Sequence, residues 1–399
     1  MRIQLPAIPS WRRTRFRLTE RYLRYVTAPE RIRPYNRVRP LRSGEQTFPA
    51  MLRAIRGAQR RIELEMYILR ADHVGQEFQK ALVDRARAGV EIRVLYDALG
   101  SFGLPDWYIG EMRAAGIEVI EYAPLVPWRP RWGLNNRDHQ KILIVDREIA
   151  FTGGINIGDE YSPVEWGGGG WFDLNAEVDG PAVHDLGSYF LKTWIRAGGR
   201  PVEPPELPPR RPKSAEHRVA VQVISNVGMR SRSHMRHAYV HAIRRAERGI
   251  DIMNAYFIPD RGLRRAFARA VRRGVRVRVI VPGVSDVPPV RWASHYLYAG
   301  LMRSGVRIYE RPERMMHAKA GVIDGVWSTV GSYNLDKRSL FHNLEVGLIL
   351  YDRAFGEEMT RIFEAELAHC REIVPAEWEK RGIAARILER FFFALRYWL

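Results

Sequence analysis

The chain has 399 residues and a mass of 46.2 kDa, a length that is too great for one small domain and suits two. Hydrophobic residues make up 46% and charged residues 27%, a globular composition that excludes a disordered chain. The 64 Lys and Arg against 45 Asp and Glu leave a net charge of +19, which predicts a polyanionic partner, either nucleic acid or an anionic membrane surface.

Residues 1–42 form a basic leader. They contain twelve Arg and two Glu, so they carry +10 of the net charge. Aromatic residues such as Trp11 and Tyr25 stand among the arginines, a mixture that suits anionic lipid headgroups, with a disordered basic arm as an equal alternative. No apolar signal region follows and no run of about 18 apolar residues occurs, so the sequence predicts neither export nor a transmembrane helix.

Two halves with a similar pattern follow, at residues 43–198 and 217–375, and the prolines of residues 199–216 predict a stiff linker between them. Each half begins with a strand, a helix that stops at a glycine, and a second strand. These are residues 62–69, 76–88 and 91–96 in the first half and 250–258, 263–273 and 276–281 in the second. The alternation predicts two duplicated α/β lobes, each with a mainly parallel sheet.

Each half then carries the same constellation of residues, which reads H-x-K-x4-D-x6-G-[GS]-x-N without a gap. The two copies are His139, Lys141, Asp146, Gly153, Gly154 and Asn156, and His317, Lys319, Asp324, Gly331, Ser332 and Asn334. Only seven of the 64 basic residues are Lys, yet both copies keep Lys at the same place. A single His-x-Lys on a strand is usually a solvated edge, whereas a duplicated, gap-free pattern indicates a functional site.

The residue types suit phosphoryl transfer without a metal or another cofactor. His139 and Lys141 are two apart on a predicted strand and share a face, whereas Asp146 has the opposite parity and is expected to fix the strand and its turn. Small residues would let a phosphate approach the backbone, and the Asn amides would donate to it. Two facing sets would supply two ammonium groups for the phosphate oxygens, one imidazole as nucleophile and one as acid and base.

Each histidine needs a partner on its second ring nitrogen, which fixes its tautomer. Two N-x-E segments downstream of the motifs, at residues 175–177 and 343–345, supply Glu177 and Glu345 as candidates. Ordinary ion pairs between strands are the alternative for these carboxylates.

The duplicated motif resembles the doubled HKD motif of the phospholipase D superfamily, and the similarity extends over about residues 43–370. Flanking segments such as GSYNLDKRS at 331–339 resemble bacterial cardiolipin synthases of the type without N-terminal transmembrane helices. The resemblance implies a pseudo-twofold fold with the active site between the lobes. It also implies transfer of a phosphatidyl group from one phosphatidylglycerol to another, with release of glycerol.

The resemblance further implies roles for individual residues. His139 would be the nucleophile and His317 the acid and base, while Glu177 and Glu345 would orient them. The remaining site residues would bind phosphate; these are Lys141, Lys319, Asn156 and Asn334, with Gly154 and Ser332 as the one asymmetric position.

Residues 376–399 end the chain with a predicted amphipathic helix. Its large apolar side chains share one face and include Ile387, Phe391 and Trp398, so it is expected to contact a membrane, with packing on its own domain as the alternative. The expected partners are anionic phospholipids, phosphatidylglycerol and cardiolipin, at the cytoplasmic face of the cell membrane. Hydrolysis of phospholipid or an HKD-type nuclease activity remain the alternative functions, although the absence of nucleic-acid-binding motifs argues against nucleic acid.

Overall fold

The computed structural model describes residues 20–125, 135–202, 214, 218–227 and 233–398. The first 19 residues of the predicted leader and most of the predicted linker at 199–216 lie outside these ranges. The expectation of a stiff linker therefore stays a prediction.

The strands are β1 (Ile32–Arg42), β2 (Arg61–Met66), β3 (Glu91–Asp97), β4 (Glu118–Tyr122), β5 (Ile142–Val145), β6 (Ile149–Gly153), β7 (Leu174–Asp179), β8 (Val219–Ser225), β9 (Gly249–Asn254), β10 (Arg276–Pro282), β11 (Arg307–Arg311), β12 (Lys319–Ile323), β13 (Trp327–Gly331), β14 (Val346–Tyr351) and β15 (Arg371–Glu372). The helices are α1 (Glu20–Leu23), α2 (Ser43–Gly57), α3 (His73–Arg87), α4 (Asp106–Ala114), α5 (Ala182–Arg196), α6 (His234–Arg245), α7 (Arg261–Arg272), α8 (Pro288–Arg303), α9 (Lys337–Phe341), α10 (Arg353–Leu367), α11 (Pro375–Glu379) and α12 (Ile383–Ala394).

The strands form one sheet in the order β15-β11-β10-β9-β12-β13-β14-β8-β1-β7-β6-β5-β2-β3-β4. Apart from the short edge strand β15, the order reads the same outward from the central β1–β8 pair, so the structure has the two duplicated α/β lobes that the sequence predicts. Parallel pairing is confined to β2, β3 and β4 in one lobe and β9, β10 and β11 in the other. The prediction of mainly parallel lobes is wrong, because β5, β6 and β7 in one lobe and β12, β13 and β14 in the other pair as antiparallel neighbours.

The predicted leader does not form a separate arm in its described part. Strand β1 pairs with β7 on one side and with β8 on the other, both antiparallel, and so joins the two lobes into one sheet. Tyr25 is buried in the second lobe, where its hydroxyl donates to Asp324 Oδ2 (2.5 Å). The first lobe therefore begins within the segment that composition alone assigned to a basic leader.

Local signals explain the helices that cover the parallel strands. Asp72 caps α3 by accepting from Gly75 N (3.0 Å), and Asp260 caps α7 by accepting from Leu263 N (3.2 Å). Both helices end at the predicted glycines, and Gly89 and Gly274 adopt left-handed φ angles of 90° and 85°. These matched caps give each lobe the same helix before its second strand.

Apolar side chains pack in three clusters. One lies in the first lobe beneath α2, α3 and α4, and one lies in the second lobe beneath α6, α7 and α8. The third contains α5 and α10 together with strand residues of both lobes, so the lobes share a hydrophobic core. This shared core holds the two motifs in a fixed relation.

The C-terminal segment forms two short helices, α11 and α12, where the sequence predicted one. Helix α12 packs along α8 through Phe392, Phe393 and the buried Glu389, while Ile387 and Phe391 are exposed. The predicted apolar surface is thus divided between packing and exposure. Among the described residues, no helix is long and apolar enough to cross a membrane.

Candidate active site

The two lobes contact each other at the motif histidines. His139 N donates to Leu344 O (2.9 Å), and His317 N donates to Phe172 O (2.7 Å), so the backbone of each motif is bound to the other lobe. Both histidine side chains line one cavity of about 380 Å³. A larger open groove of about 720 Å³ runs along β1 and α10, but no motif residue lines it. The cavity between the lobes is therefore the candidate active site.

A buried carboxylate from the opposite lobe holds each histidine. His139 Nδ1 donates to Glu345 Oε2 (3.0 Å), and His317 Nδ1 donates to Asp173 Oδ2 (2.6 Å). With its carboxylate ionised, each of these bonds places the ring proton on Nδ1 and leaves Nε2 of the ring for the reaction. Two imidazoles in this state can act as a nucleophile and as a general base.

Glu177, predicted to orient a histidine, lies elsewhere. It belongs to β7 and accepts from Arg39 Nη2 of the neighbouring strand (2.6 Å). Asp173, just before that strand, is the carboxylate that holds His317. The prediction for Glu177 is therefore corrected to Asp173, while Glu345 contacts His139.

The strand register explains this difference. Gly154 and Ser332 occupy the same motif position, and their backbone N–H groups donate to Leu174 O and Val346 O (2.9 Å each). The residue immediately before each acceptor is the carboxylate that holds a histidine. The first half has six more residues than the second between the motif position and this acceptor. The two N-x-E segments are therefore not equivalent in strand register, although their letters match. Because the two halves differ in length here, the sequence offers no spacing that identifies Asp173.

The two motif lysines are buried beside aromatic rings. Lys141 Nζ donates to His139 O (2.8 Å) and lies 4.9 Å from the centre of the Tyr67 ring, and Lys319 Nζ lies 6.0 Å from the centre of the Tyr256 ring. Burial lowers the pKa of Lys141 to about 7 and that of Lys319 to about 8. A phosphodiester bound here would raise both pKa values, because an anion favours the ammonium form.

Asn156 and Asn334 line the cavity and also fix its walls. Asn156 Oδ1 accepts from Ile68 N (3.0 Å) and its Nδ2 donates to the Tyr161 hydroxyl (2.6 Å). Asn334 Oδ1 accepts from Tyr256 N (3.4 Å). Each amide oxygen thus ties a motif to the loop after β2 or β9, and donation from the amide nitrogens to phosphate stays a prediction.

The motif aspartates lie at the far end of the strands that follow the lysines. Asp146 accepts from three successive backbone N–H groups at residues 59–61 (2.7–2.9 Å), and Asp324 accepts from those at 247–249 (2.8–2.9 Å). Both aspartates have left-handed φ angles, 53° and 55°. They hold the turn against the start of β2 or β9 and are positioning residues, apart from the reacting groups.

The two histidine–carboxylate pairs differ electrostatically. Burial lowers the pKa of both histidines; the charge of Asp173 opposes this at His317, whereas neighbouring cations add to it at His139. Burial also raises the pKa of Glu345 to about 7, against the opposing field of Lys141. Burial would raise the pKa of Asp173 too, but the charges of Lys319 and His317 outweigh it and hold that pKa below its ordinary value. Asp173 is therefore ionised at neutral pH.

Further cavity residues were not assigned to the site from the sequence. They are aromatic or charged: Tyr67, Arg70, Tyr161, Asp286, Asp336 and Arg338. Most lie in loops after strands, and the only sequence feature that could have identified them is their position within the duplicated lobe. In the described ranges, no group of three His, Cys, Asp or Glu side chains could hold a metal ion.

Comparison with known solved structures supports the fold. A phosphatidylserine synthase from Haemophilus influenzae Rd KW20 superimposes with a TM-score of 0.69 at 17% identity, covering 91% of this chain and 95% of that chain. A polyphosphate kinase from Porphyromonas gingivalis superimposes with a TM-score of 0.57 at 14% identity, covering 91% of this chain and 53% of that chain. At these identities the matches show the fold alone.

Sequence comparisons give the family. The family model described as "Cardiolipin synthase, PLD-like domain" matches residues 51–181 and 239–367, one match in each lobe. Cardiolipin synthase 2 of Bacillus anthracis is 34% identical over 351 residues, which cover 88% of this chain and 68% of that protein. A cardiolipin synthase of Geobacillus kaustophilus is 35% identical over 352 residues, which cover 88% and 70%. With its paired motifs in one cavity, the chain belongs to the family of PLD-like cardiolipin synthases.

Proposed function

We propose that the protein is a phosphatidyltransferase that makes cardiolipin from two molecules of phosphatidylglycerol and releases glycerol. The observation that carries this proposal is the single cavity in which two histidines, each held by a carboxylate, stand beside two buried lysines. The lysines suit one phosphodiester anion, and the histidines suit displacement at its phosphorus. Relatives that match 88% of this chain at 34% and 35% identity are named cardiolipin synthases.

In the first half-reaction, His139 Nε2 attacks phosphorus of the first phosphatidylglycerol. The bond from phosphorus to the headgroup glycerol oxygen breaks, and protonated His317 gives that oxygen its proton, so glycerol leaves and a phosphohistidine remains. In the second half-reaction, a headgroup hydroxyl of the second phosphatidylglycerol attacks phosphorus. His317 takes its proton, the bond to His139 breaks, and cardiolipin leaves with both histidines restored.

The electrostatic difference between the two pairs supports this division of roles. Ionised Asp173 stabilises a positive charge on His317, which suits the histidine that carries a proton in each half-reaction. The partner of His139 is Glu345, whose pKa of about 7 makes it a weaker source of negative charge. His139 is thus kept neutral, as a nucleophile needs.

We further propose that the protein works as a peripheral protein at the cytoplasmic face of the cell membrane. Exposed apolar side chains of α12, including Ile387 and Phe391, alternate with arginines, a surface suited to anionic lipid. Trp398 follows that helix and lines the cavity of the motif histidines. The apolar surface is therefore next to the entrance through which a lipid headgroup would come.

The test is incubation of purified protein with phosphatidylglycerol vesicles, followed by mass analysis of the lipids. We expect cardiolipin and glycerol, and a loss of at least about 10³-fold in rate for His139→Ala and for His317→Ala. His369→Ala, an exposed histidine on the second lobe, is the matched control and should keep the wild-type rate. Phosphatidic acid as the main product would indicate a hydrolase, and cleaved DNA with untouched lipid would indicate a nuclease; either result contradicts the proposal.

A further inference from the structure

Asp286 places a negative charge in a cavity whose duplicated groups suit an anion. Its side chain is exposed and lines the cavity together with His317, and its Oδ2 accepts from the Tyr256 hydroxyl (2.7 Å). The centre of the Tyr256 ring lies 6.1 Å from that of the His317 ring. The carboxylate is therefore held on the His317 side of the site.

The loop that carries Asp286 is built to hold it in place. Val287 N donates to Ser285 Oγ (3.1 Å), and two prolines, Pro288 and Pro289, begin α8 directly afterwards. A carboxylate near a helix N-terminus often acts as its cap, but Val287 occupies the cap position of α8 and the cap has no side-chain hydrogen bond. Capping therefore does not account for Asp286.

The other lobe has no such carboxylate at the corresponding place. Asp286 lies four residues beyond the end of β10, and the residue four beyond the end of β3 is Ser101. Ser101 is buried, and its hydroxyl donates to Tyr67 O (3.2 Å). The groups that suit the phosphodiester are duplicated, whereas Asp286 is present once. It therefore serves a part of the reaction that occurs on one side of phosphorus only.

In a two-step displacement, the component that is bound on only one side of phosphorus is the alcohol. The leaving and the accepting oxygen both stand opposite the nucleophile, so with His139 on one side both alcohols occupy the His317 side. A carboxylate there repels phosphate but accepts hydrogen bonds from hydroxyl groups. Lys319 lies over the Tyr256 ring, so this face of the ring that holds Asp286 is already taken by a cation.

We propose that Asp286, held by Tyr256, binds the hydroxyl groups of the alcohol that leaves and of the alcohol that accepts, and so selects a neutral alcohol with adjacent hydroxyls. The inference rests on the proposed transferase function and names its acceptor class. A glycerol headgroup offers one hydroxyl for transfer to phosphorus and a second for the carboxylate. An alcohol with one hydroxyl cannot do both at once.

The experiment measures competition between acceptors in the full-length protein. Phosphatidylglycerol vesicles are given equal concentrations of isotopically labelled glycerol and 1-propanol, and the ratio of labelled phosphatidylglycerol to phosphatidylpropanol is measured by mass. We expect wild type to favour glycerol and Asp286→Asn to lower the ratio by about tenfold or more, with Tyr256→Phe intermediate. Glu111→Gln, a carboxylate on the exposed face of α4, should leave the ratio unchanged.

Three outcomes decide the matter. A ratio unchanged in Asp286→Asn, with the fold retained by thermal unfolding, overturns the inference while leaving the transferase function intact. When ethanolamine is added at the same concentration, a wild-type preference for it over both alcohols that is lost in Asp286→Asn overturns the neutral-alcohol assignment. Absence of any transfer product from wild type is a failure of the proposed function itself, and the inference then falls with it.

Discussion

At the scale of single residues, the length of each carboxylate is matched to the motif residue beside it. A Cβ placed on Gly154 would lie 2.2 Å from Asp173 Oδ1, so the short carboxylate excludes any side chain there. In the other lobe Ser332 takes the same position, and its hydroxyl donates to the longer Glu345. The one asymmetric position of the motifs thus follows from the different carboxylates that hold the two histidines.

Asp173 and Glu177 provide a matched pair for a test at this scale. Asp173→Asn keeps the shape but lets Nδ1 of His317 meet an amide, which disturbs the tautomer and removes the charge that stabilises imidazolium. We expect the transfer rate to fall by about 10³-fold or more with little change in KM. Glu177→Gln alters only the pairing with Arg39 at the sheet and should retain activity within about twofold. Equal losses in both variants, by steady-state kinetics, would show that Asp173 acts only through the fold.

At the scale of elements, β1 connects the lobes. It supplies ladder hydrogen bonds to β7 and to β8, and without it both neighbours would present unpaired backbone groups at new sheet edges. The strand reads IRPYNRVRPLR, so its frequent arginines gave it the appearance of a solvated basic segment. Arg33 and Arg39 in fact pair with Asp185 and Glu177 of the first lobe.

A truncation series tests this role. A chain that begins at residue 43 should aggregate or unfold without cooperativity, because it lacks the strand between the lobes. A chain that begins at residue 20 keeps β1 and the Tyr25 hydroxyl bond to Asp324, and should unfold in a cooperative transition. Circular dichroism melts and size-exclusion chromatography distinguish the two, and a stable monomer beginning at residue 43 would contradict the role assigned to β1.

At the scale of the whole molecule, charge and apolar exposure combine on the C-terminal helix. Ile387 and Phe391 of α12 are 63% and 57% exposed, and Arg386 and Arg390 lie beside them in sequence. Insertion of such side chains into the headgroup boundary would add apolar burial to the attraction of a +19 protein for anionic lipid. The helix packs on α8, so an inserted α12 would hold the lobes at a fixed orientation to the membrane.

Replacing Ile387 and Phe391 together with Ser should weaken binding to phosphatidylglycerol vesicles by about tenfold or more, since two large apolar groups no longer leave water. Ile195→Ser, which removes a 48% exposed apolar side chain from α5, is the matched control and should bind like wild type. Sedimentation with vesicles at low and at high salt separates the electrostatic contribution to binding from the apolar one. Unchanged binding in the double variant would show that α12 only packs on the protein.

Several features of fold and site follow from the sequence because they are encoded locally. The glycines that stop α3 and α7 and the duplicated motif are patterns within short stretches of the chain. The family resemblance led to the lobe interface, where His139 and His317 do share a cavity. The extent of parallel pairing was wrong, because periodicity identifies a strand but does not name its neighbour.

Tertiary structure decided which groups complete the site. Asp173 reaches His317 across 144 positions of the chain, and Glu345 reaches His139 across 206, so neither contact leaves a local pattern. Asp286 is likewise a candidate site residue only because the fold places the loop after β10 beside His317. The sequence by itself identified the paired motif residues that we propose for the phosphoryl chemistry, since their spacing is fixed within each motif. The partners of those side chains depend on strand register and on packing between lobes, which only the folded chain determines.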